Sequence, residues 1–285
     1  MLKLLCYGLL FLAVALLWLP DRLRVPLWSV AFALACLAGL LSGQLDGAAV
    51  LFIICLAMAV YLSEREELAT WSRAALLLGV VFGSFALGAH RMPHFHNWLV
   101  AADLRISADA SPISLYLNFD KTVPGLLLLG FAHPRIRERK EWALLAKRIW
   151  PLGGYLLALL LAFALASGKI RFDPKWPDCL PLWLLTNLFF VCMAEEAFFR
   201  GFLQRRAEAA LAQRRGGKML ALALASLAFG AAHYGGGAGY VLIATLAGLC
   251  YGYAYQRTKR IEASILLHGL VNTVHFLFFT YPVLP

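Results

Sequence analysis

The sequence is poor in charged residues, which occupy only 15% of its 285 positions, whereas hydrophobic residues occupy 61%. A soluble globular domain is about one quarter charged, so this composition excludes an ordinary soluble protein and predicts a polytopic membrane protein. The formal net charge of +10 is distributed in short clusters between apolar runs and forms no single basic stripe. We therefore expect a lipid bilayer around the chain and no nucleic acid as a partner.

The sequence also lacks the pattern of a disulfide framework. Five of its six cysteines lie within apolar segments, and only Cys179 lies in a clear loop. Lone cysteines in such segments are most often small packing residues. A cleavage site of small residues is missing after the first apolar segment, so residues 2–20 are predicted to be a retained span and not a signal peptide.

Nine apolar segments approach the length of about 20 residues that crosses a bilayer. They are 2–20, 26–43, 46–62, 71–89, 149–167, 181–204, 219–234, 238–255 and 261–280. A tenth, 122–134, is shorter, and is either a short tilted span or a re-entrant piece sheltered by other helices. The predicted fold is an all-α polytopic transmembrane bundle of about 8–10 spans. Ten crossings place the most basic linkers in the cytoplasm and both termini outside, whereas a re-entrant 122–134 inverts the segments before it.

Two adjacent carboxylates and an arginine interrupt the apolar segment 181–204. On an α-helix Glu196 and Arg200 lie at positions i and i+4 and can pair, whereas Glu195 lies about 100° away and has no cation at i+4. Counting residues along an α-helix puts Glu195 about 15 Å from the cytoplasmic end, near the middle of the bilayer. We therefore expect Glu195 to be an un-neutralised acid, which at this depth is a candidate functional residue.

Later apolar segments add further polar residues. His233 ends one segment before a run of three glycines, and His268, Asn272 and His275 are spaced to lie along one face of the last helix. Their positions along these helices place His233, His268 and Asn272 at depths similar to that of Glu195. Because lipid offers polar side chains no partners, we expect these groups to share one water-holding cavity.

A cavity with these components is suited to hydrolysing an amide bond. A glutamate held away from water is able to take a proton from a water molecule near neutral pH, and a neutral histidine can hold that water. A second histidine and an asparagine can donate hydrogen bonds to the oxyanion that forms when a carbonyl carbon becomes tetrahedral. No covalent nucleophile is required, and the serines of these segments do not lie in a nucleophile-elbow sequence.

Three short motifs in three late segments resemble one family when they are taken together. They are Glu195-Glu196-x-x-x-Arg200, Phe229-x-x-x-His233 and His268-x-x-x-Asn272, in this order. They resemble the CAAX prenyl protease and bacteriocin-processing (CPBP/Abi) family of intramembrane endopeptidases over about residues 181–275. The resemblance implies an all-helical bundle whose site opens laterally or towards the cytoplasm. It makes residues 149–285 a family-like catalytic core and leaves the helices of residues 1–148 without an assigned role.

Carried over by motif, the resemblance implies a role for each polar residue. Glu195 is implied to be the catalytic base, and His233 to be its partner in activating water. His268 and Asn272 are implied to form the oxyanion site. Three further positions are implied to support the site: Glu196, Arg200 and Phe229.

No cofactor is expected. One glutamate and two histidines can hold Zn²⁺, but the sequence contains no His-Glu-x-x-His motif and asparagine suits an oxyanion better than zinc, so a metal-free glutamate mechanism is favoured. His90, His94 and His96, in the outer linker 90–120, also have a spacing typical of metal ligands. We expect them instead to belong to an interfacial segment, because the linker mixes aromatic and polar residues.

Two other classes of function remain open at this stage. A proton-coupled transporter would use Glu195 as a relay, although the inverted repeats and paired broken helices of such carriers are not evident. A non-catalytic scaffold would bind a partner membrane protein without turnover. For the protease, the expected partner is a membrane protein or peptide substrate, and the Ala/Leu/Arg-rich composition with short loops fits a bacterial inner membrane.

Overall fold

The computed structural model of the protein describes residues 1–20, 24–65 and 67–284. Most of these residues lie in ten helices, which confirms the predicted all-α class. In chain order the helices are α1 (Leu2–Leu16), α2 (Leu27–Leu41), α3 (Gly47–Ser63), α4 (Thr70–Gly88), α5 (Phe119–Ala132), α6 (Arg139–Ala166), α7 (Leu180–Ala210), α8 (Gly217–Ala232), α9 (Ala238–Thr258) and α10 (Ile261–Phe278). The pattern of long apolar helices confirms the membrane bundle.

Five of the described helices are long and apolar enough to cross a membrane, namely α4, α6, α7, α9 and α10. The apolar helices α1, α2, α3 and α8 have only 15, 15, 17 and 16 residues, and α1 and α2 are shorter than the predicted segments 2–20 and 26–43. Local residues explain some of these limits. Pro26 precedes α2, Gly43 follows it with a positive φ of 70°, and the Asp46 carboxylate caps α3 by accepting a bond from the Ala49 N–H.

The polypeptide divides into two compact units. The first unit contains residues 1–100, 116–137 and 189–198, and therefore includes α1 to α5 and the middle of α7. The second contains 101–115, 138–188 and the region from Phe199 to the C-terminus, and includes α6, both ends of α7 and α8 to α10. The predicted boundary at residue 148 between helices of unassigned role and a catalytic core stays a prediction.

Helix α5 is the most enclosed helix of the first unit. Every residue from Thr122 to Leu129 is buried, as are Phe119 and Asp120. After the helix, the Arg135 guanidinium donates hydrogen bonds to the carbonyl oxygens of Leu17, at 2.7 Å, and of Leu129. The predicted segment 122–134 is thus a short helix that lies sheltered among the other helices of its unit.

The second unit has an aromatic core near the C-terminus. Trp183 of α7 stacks on Phe276 of α10 with ring centroids 3.9 Å apart, and Tyr281 packs edge-on against both rings. The ring contacts tie the start of α7 to the end of α10. They fix the two helices that carry most of the polar motif residues of this unit.

The outer linker 90–120 contains regular structure that the sequence analysis did not predict. Two strands, β1 (Trp98–Leu104) and β2 (Ile113–Leu117), pair into a two-stranded sheet. Aromatic and β-branched residues in both strands favour this conformation. The interfacial position of this linker stays a prediction, and the two short strands leave the all-α class unaffected.

Candidate active site

Helix α7, which carries the two adjacent glutamates, is not a regular α-helix. Its stretches Asn187–Cys192 and Ala197–Gln204 are π-helical, and Glu195 and Glu196 lie in the short α-helical segment between them. Such i→i+5 turns are rare and occur frequently at functional sites. A π-helical turn advances the chain less per residue than an α-helical turn does. The distance of about 15 Å from Glu195 to the cytoplasmic end, counted along a regular α-helix, is therefore too long.

The charged residues of this segment are largely removed from solvent. Glu196 and Arg200 are fully buried, and the side chain of Glu195 is 14% exposed. Buried charges are costly unless they are compensated by partners. The partners of these three residues therefore determine what the segment can do, and the predicted pairing of Glu196 with Arg200 stays a prediction.

Glu195 forms an ion pair that the sequence analysis did not anticipate. The Lys121 Nζ lies 2.7 Å from the Glu195 Oε1, and the lysine side chain is 18% exposed. The cation comes from α5, 74 positions earlier in the chain, and not from the same helix. The expectation of an un-neutralised acid is therefore wrong, since helix spacing reveals only partners within one helix.

In the second unit, polar motif residues gather around one aromatic ring, that of Phe229 on α8. The ring centroid lies 4.6 Å from that of His233 and 5.8 Å from that of His268, and the Arg200 Cζ lies 4.3 Å over its face. Phe199 packs edge-on against the same ring at 5.1 Å. Phe229 thus brings together one residue from each of the three motifs, through contacts that are aromatic and cation–π in kind.

His233 lies at the end of α8, where a short 3₁₀ turn and Gly237, with a φ of 83°, redirect the chain. Its Nδ1 lies 2.7 Å from the Phe229 carbonyl oxygen. A carbonyl accepts but cannot donate, so Nδ1 carries a hydrogen, and Nε2 is the acceptor nitrogen whenever the ring is neutral. An acceptor nitrogen is what a histidine needs to hold a water molecule by its hydrogen.

His268 on α10 is 5% exposed and its ring stacks on Tyr251 of α9, with centroids 4.9 Å apart and planes inclined by 16°. The stacked ring has few alternative orientations, because Phe229 packs edge-on against it from α8. A ring held in this way can direct a hydrogen bond without first being ordered.

Arg200 and its neighbour one turn later are held by the backbone of α9. The Arg200 Nη2 donates to the Gly248 carbonyl oxygen and the Gln204 Nε2 donates to that of Gly252, both at 3.1 Å. A Cβ at Gly252 would lie 2.6 Å from the Gln204 Oε1. The Gly248-x-x-x-Gly252 pair therefore gives space for two side-chain-to-backbone bonds, a role beyond the small-residue packing face that the pattern suggests.

Asn272 lies one turn after His268, and its Nδ2 donates to the Asn187 Oδ1 at 3.3 Å. The bond joins α10 to the first π-helical stretch of α7. It orients the carboxamide of Asn272. Because an amide NH₂ group only donates, the Asn187 Oδ1 is the acceptor of this bond. His275 has a different role, because its Nε2 is paired at 3.1 Å with the Thr280 carbonyl oxygen of the C-terminal segment.

The alternative nucleophiles and metal ligands have ordinary structural partners. Ser226 and Ser264 donate to the backbone carbonyls of Leu222 and Tyr251, both at 2.8 Å. The three outer-linker histidines also have hydrogen-bond partners within the protein. The Nδ1 of His90 is paired with Asp120, the Nδ1 of His94 with Asp46, and the backbone N–H of His96 with Gln44.

Within the part of the chain that the structure describes, no three histidine, cysteine, aspartate or glutamate side chains are grouped closely enough to hold a metal ion. Among the described residues, the three outer-linker histidines therefore do not form such a group. The convergence of Glu195 with His233, His268 and Asn272 stays a prediction.

Residues 177–274 match a family model described as type II CAAX prenyl endopeptidase Rce1-like. This region is Rce1-like. The match confirms the resemblance found in the sequence, contains all three motifs and covers less than half of the chain. No curated protein and no solved structure matches the chain.

The Rce1-like match and the long apolar helices together define the general nature of the protein. It is an integral, multi-pass membrane protein, and its residues 177–274 are similar to type II CAAX prenyl endopeptidases. At the level of the family, the match implies a protease with a membrane-associated substrate in a lipid environment. Lys121 lies outside the matched region, and motif reasoning did not identify it as a partner of Glu195.

Proposed function

We propose that the protein is an intramembrane endopeptidase that hydrolyses a peptide bond of a membrane-associated protein or peptide with water activated by Glu195. The observation that carries the proposal is the gathering of Arg200, His233 and His268 around Phe229, inside the Rce1-like region. A structural bundle needs no such collection of polar groups, because burying Arg200 and His268 costs free energy.

In the proposed reaction, the Glu195 carboxylate takes a proton from a water molecule that the His233 Nε2 holds. The water oxygen attacks the peptide carbonyl carbon, and the carbonyl oxygen becomes an oxyanion that accepts hydrogen bonds from His268 and Asn272. When the C–N bond breaks, the proton on Glu195 passes to the leaving nitrogen. The products are a new carboxyl end and a new amino end, and the glutamate returns to its ionised form.

The remaining motif residues are proposed to support this arrangement. Both histidine rings pack against Phe229, and the Arg200 guanidinium lies over the same ring. Glu196, buried beside Glu195 on α7, is proposed to balance the charge of Arg200. The mechanism uses no metal, and a bacterial inner membrane is the proposed location.

The test is Glu195→Gln in the full-length protein, reconstituted in vesicles made from the membranes of cells that lack the active protein. Turnover is measured as the appearance of new peptide ends by mass spectrometry. Loss of the base should reduce the rate by about 10²–10⁴-fold, while Glu138→Gln, at the exposed start of α6, should leave it unchanged. Undiminished turnover by Glu195→Gln would exclude the proposed base.

A chelator titration on the wild-type protein addresses the metal. A glutamate enzyme should retain its rate in excess chelator, whereas a zinc enzyme should lose it and regain it when zinc is restored. Chelator-sensitive turnover that zinc restores would contradict the metal-free mechanism without contradicting proteolysis.

A further inference from the structure

The beginning of α5 is fixed by a polar network in the first unit. The Asp120 side chain is 2% exposed, and its two oxygens are bonded to the His90 Nδ1 at 2.8 Å and the Asn97 Nδ2 at 2.9 Å. The Asn97 Oδ1 in turn accepts the backbone N–H of Phe119 at 2.8 Å. Buried networks with this many bonds restrict a helix end to one position.

Lys121 follows directly after this network and directs its ammonium group to Glu195. The Nζ–Oε1 distance of 2.7 Å is that of a charge-assisted hydrogen bond, and both side chains are more than four-fifths buried. The carboxylate of the adjacent Asp120 is bonded to His90 and Asn97 and also accepts the Lys121 backbone N–H at 2.7 Å, whereas the Lys121 ammonium group lies against Glu195. The network therefore determines where the lysine charge lies.

A second contact on the same face of α5 supports the same segment of α7. Gly125 is four positions after Lys121, so the two residues share a helix face. A Cβ at Gly125 would lie 2.5 Å from the Ala194 Cα and 2.8 Å from the Met193 Sδ. Helix α5 thus packs with its backbone directly against the residue before Glu195, which only glycine permits.

From these two contacts we propose that Lys121 is a positioning residue for Glu195, which keeps the carboxylate ionised and oriented to accept a proton from water. The inference rests on the proposed function for its catalytic meaning, but the charge state of Glu195 is measurable without any turnover. It assigns a role to α5, which lies outside the Rce1-like region, because α5 supplies the ammonium group that lies 2.7 Å from the Glu195 carboxylate.

Stability alone gives little reason for such a pair. The cost of removing two charges from water often exceeds their mutual attraction, and apolar residues of the same volume frequently serve folding equally well. A base, in contrast, must be ionised before it can accept a proton. The pair is therefore better explained by the chemistry of Glu195 than by the packing of α5.

The test is infrared difference spectroscopy of the full-length protein in vesicles at pH 7, because a protonated carboxyl group and a carboxylate absorb in separate regions. Lys121→Met should add one carboxylic-acid carbonyl band, which should disappear in the double variant Lys121→Met/Glu195→Gln. Lys121→Arg, which keeps the cation, should add none. The exposed Lys169 provides the control, and Lys169→Met should also add none.

Two infrared results would overturn the proposal. One is a Lys121→Met spectrum without the added band, since Glu195 would then be ionised without the lysine. The other is a band that persists in the double variant, since the protonated group would then not be Glu195. If Lys121→Met is too unstable for spectroscopy, melting temperatures decide: the double variant should melt above Lys121→Met, and purely additive losses would contradict the pairing.

Turnover supplies a separate measurement. In the vesicle assay described for Glu195→Gln, Lys121→Met should slow cleavage by about 10²-fold, which is the cost of a misplaced reacting group. Lys121→Arg, which keeps the cation, should retain most of the wild-type rate. If neither the wild type nor any variant cleaves a peptide, the proposed function is contradicted. The infrared result would still decide whether Lys121 keeps Glu195 ionised. Full turnover by Lys121→Met would contradict the positioning role.

Discussion

The two units of the protein hold their buried charges by different means. In the first unit, the Glu195 carboxylate faces the Lys121 ammonium at 2.7 Å. In the second, the Arg200 guanidinium lies over the ring of Phe229 and donates to the Gly248 carbonyl oxygen. A carboxylate can gain or lose a proton in place, whereas a guanidinium in a protein is always charged. The first arrangement suits a group that reacts, and the second suits a group that supports its neighbours.

The largest expected effect tests whether the rings around Phe229 belong to a reacting site. His268→Ala and Asn272→Ala should each lower the rate of peptide cleavage by about 10²–10³-fold, because each removes a donor to the oxyanion. His275→Gln is the matched control on α10, since His275 is paired with the Thr280 carbonyl oxygen, and it should retain most of the rate. Equal losses in the three variants would indicate that α10 contributes only structure.

An intermediate effect tests the backbone contact of the first unit. Gly125→Ala should destabilise the protein by about 1–3 kcal/mol, because the added Cβ overlaps the backbone at Ala194. Gly8→Ala, on α1 of the same unit, meets nothing within 4 Å and should be neutral or stabilising by about 0.5–1 kcal/mol. Thermal unfolding in detergent measures both changes, and a neutral Gly125→Ala would show that α5 can move away from α7.

The smallest expected effect concerns an acid of the second unit, outside the helices. The Ser107 hydroxyl, at 2.6 Å, and the Lys175 ammonium hold the pKa of Asp173 below its usual range. A lowered pKa contributes stability above the ordinary carboxyl pKa of about 4, and that stability is lost as the pH falls through the lowered value. Asp173→Asn should therefore be slightly less stable than the wild type at pH 7. The loss in the free energy of unfolding should be less than about 1 kcal/mol, because the Asp173 side chain is 40% exposed.

The difference in stability between Asp173→Asn and the wild type should vanish as the pH falls through the lowered pKa of Asp173. The corresponding acid of the first unit is Asp46, whose pKa is lowered by the Ala49 N–H and by His94. Melting curves of Asp173→Asn and Asp46→Asn between pH 2 and 7 test both. A difference that persists unchanged to pH 2 would show that the loss does not come from the ionised carboxylate.

Composition and periodicity were sufficient to predict the fold class and most of the helices. Low charge and long apolar runs have one physical solution in a bilayer, in which each segment satisfies its own backbone hydrogen bonds. The predicted segments accordingly differ from the observed helices mainly at their ends, as where Gly43 ends α2 early. The strands β1 and β2 were missed, because short strands of mixed polarity have a weak pattern.

For the candidate site, motif spacing identified residues on single helices but could not identify partners from other helices. Lys121 and Glu195 are 74 positions apart and meet only in the folded chain. A lysine directly before the apolar run from Thr122 was nevertheless visible in the sequence. A lysine at the start of an apolar segment is a reason to search the other segments for an acidic partner.

The π-helical turns also escaped sequence analysis, since apolar residues of similar kind fill both π-helical and α-helical turns. Their consequence lies in the sensitivity of α7 to length. A π-helical turn holds about one residue more than an α-helical turn, so α7 could lose a single residue from Ala197–Gln204 by converting a wide turn into an ordinary one. Such a shortened helix would stay continuous but would change which of its residues share the face of Arg200, so the length of α7 matters as well as its side chains.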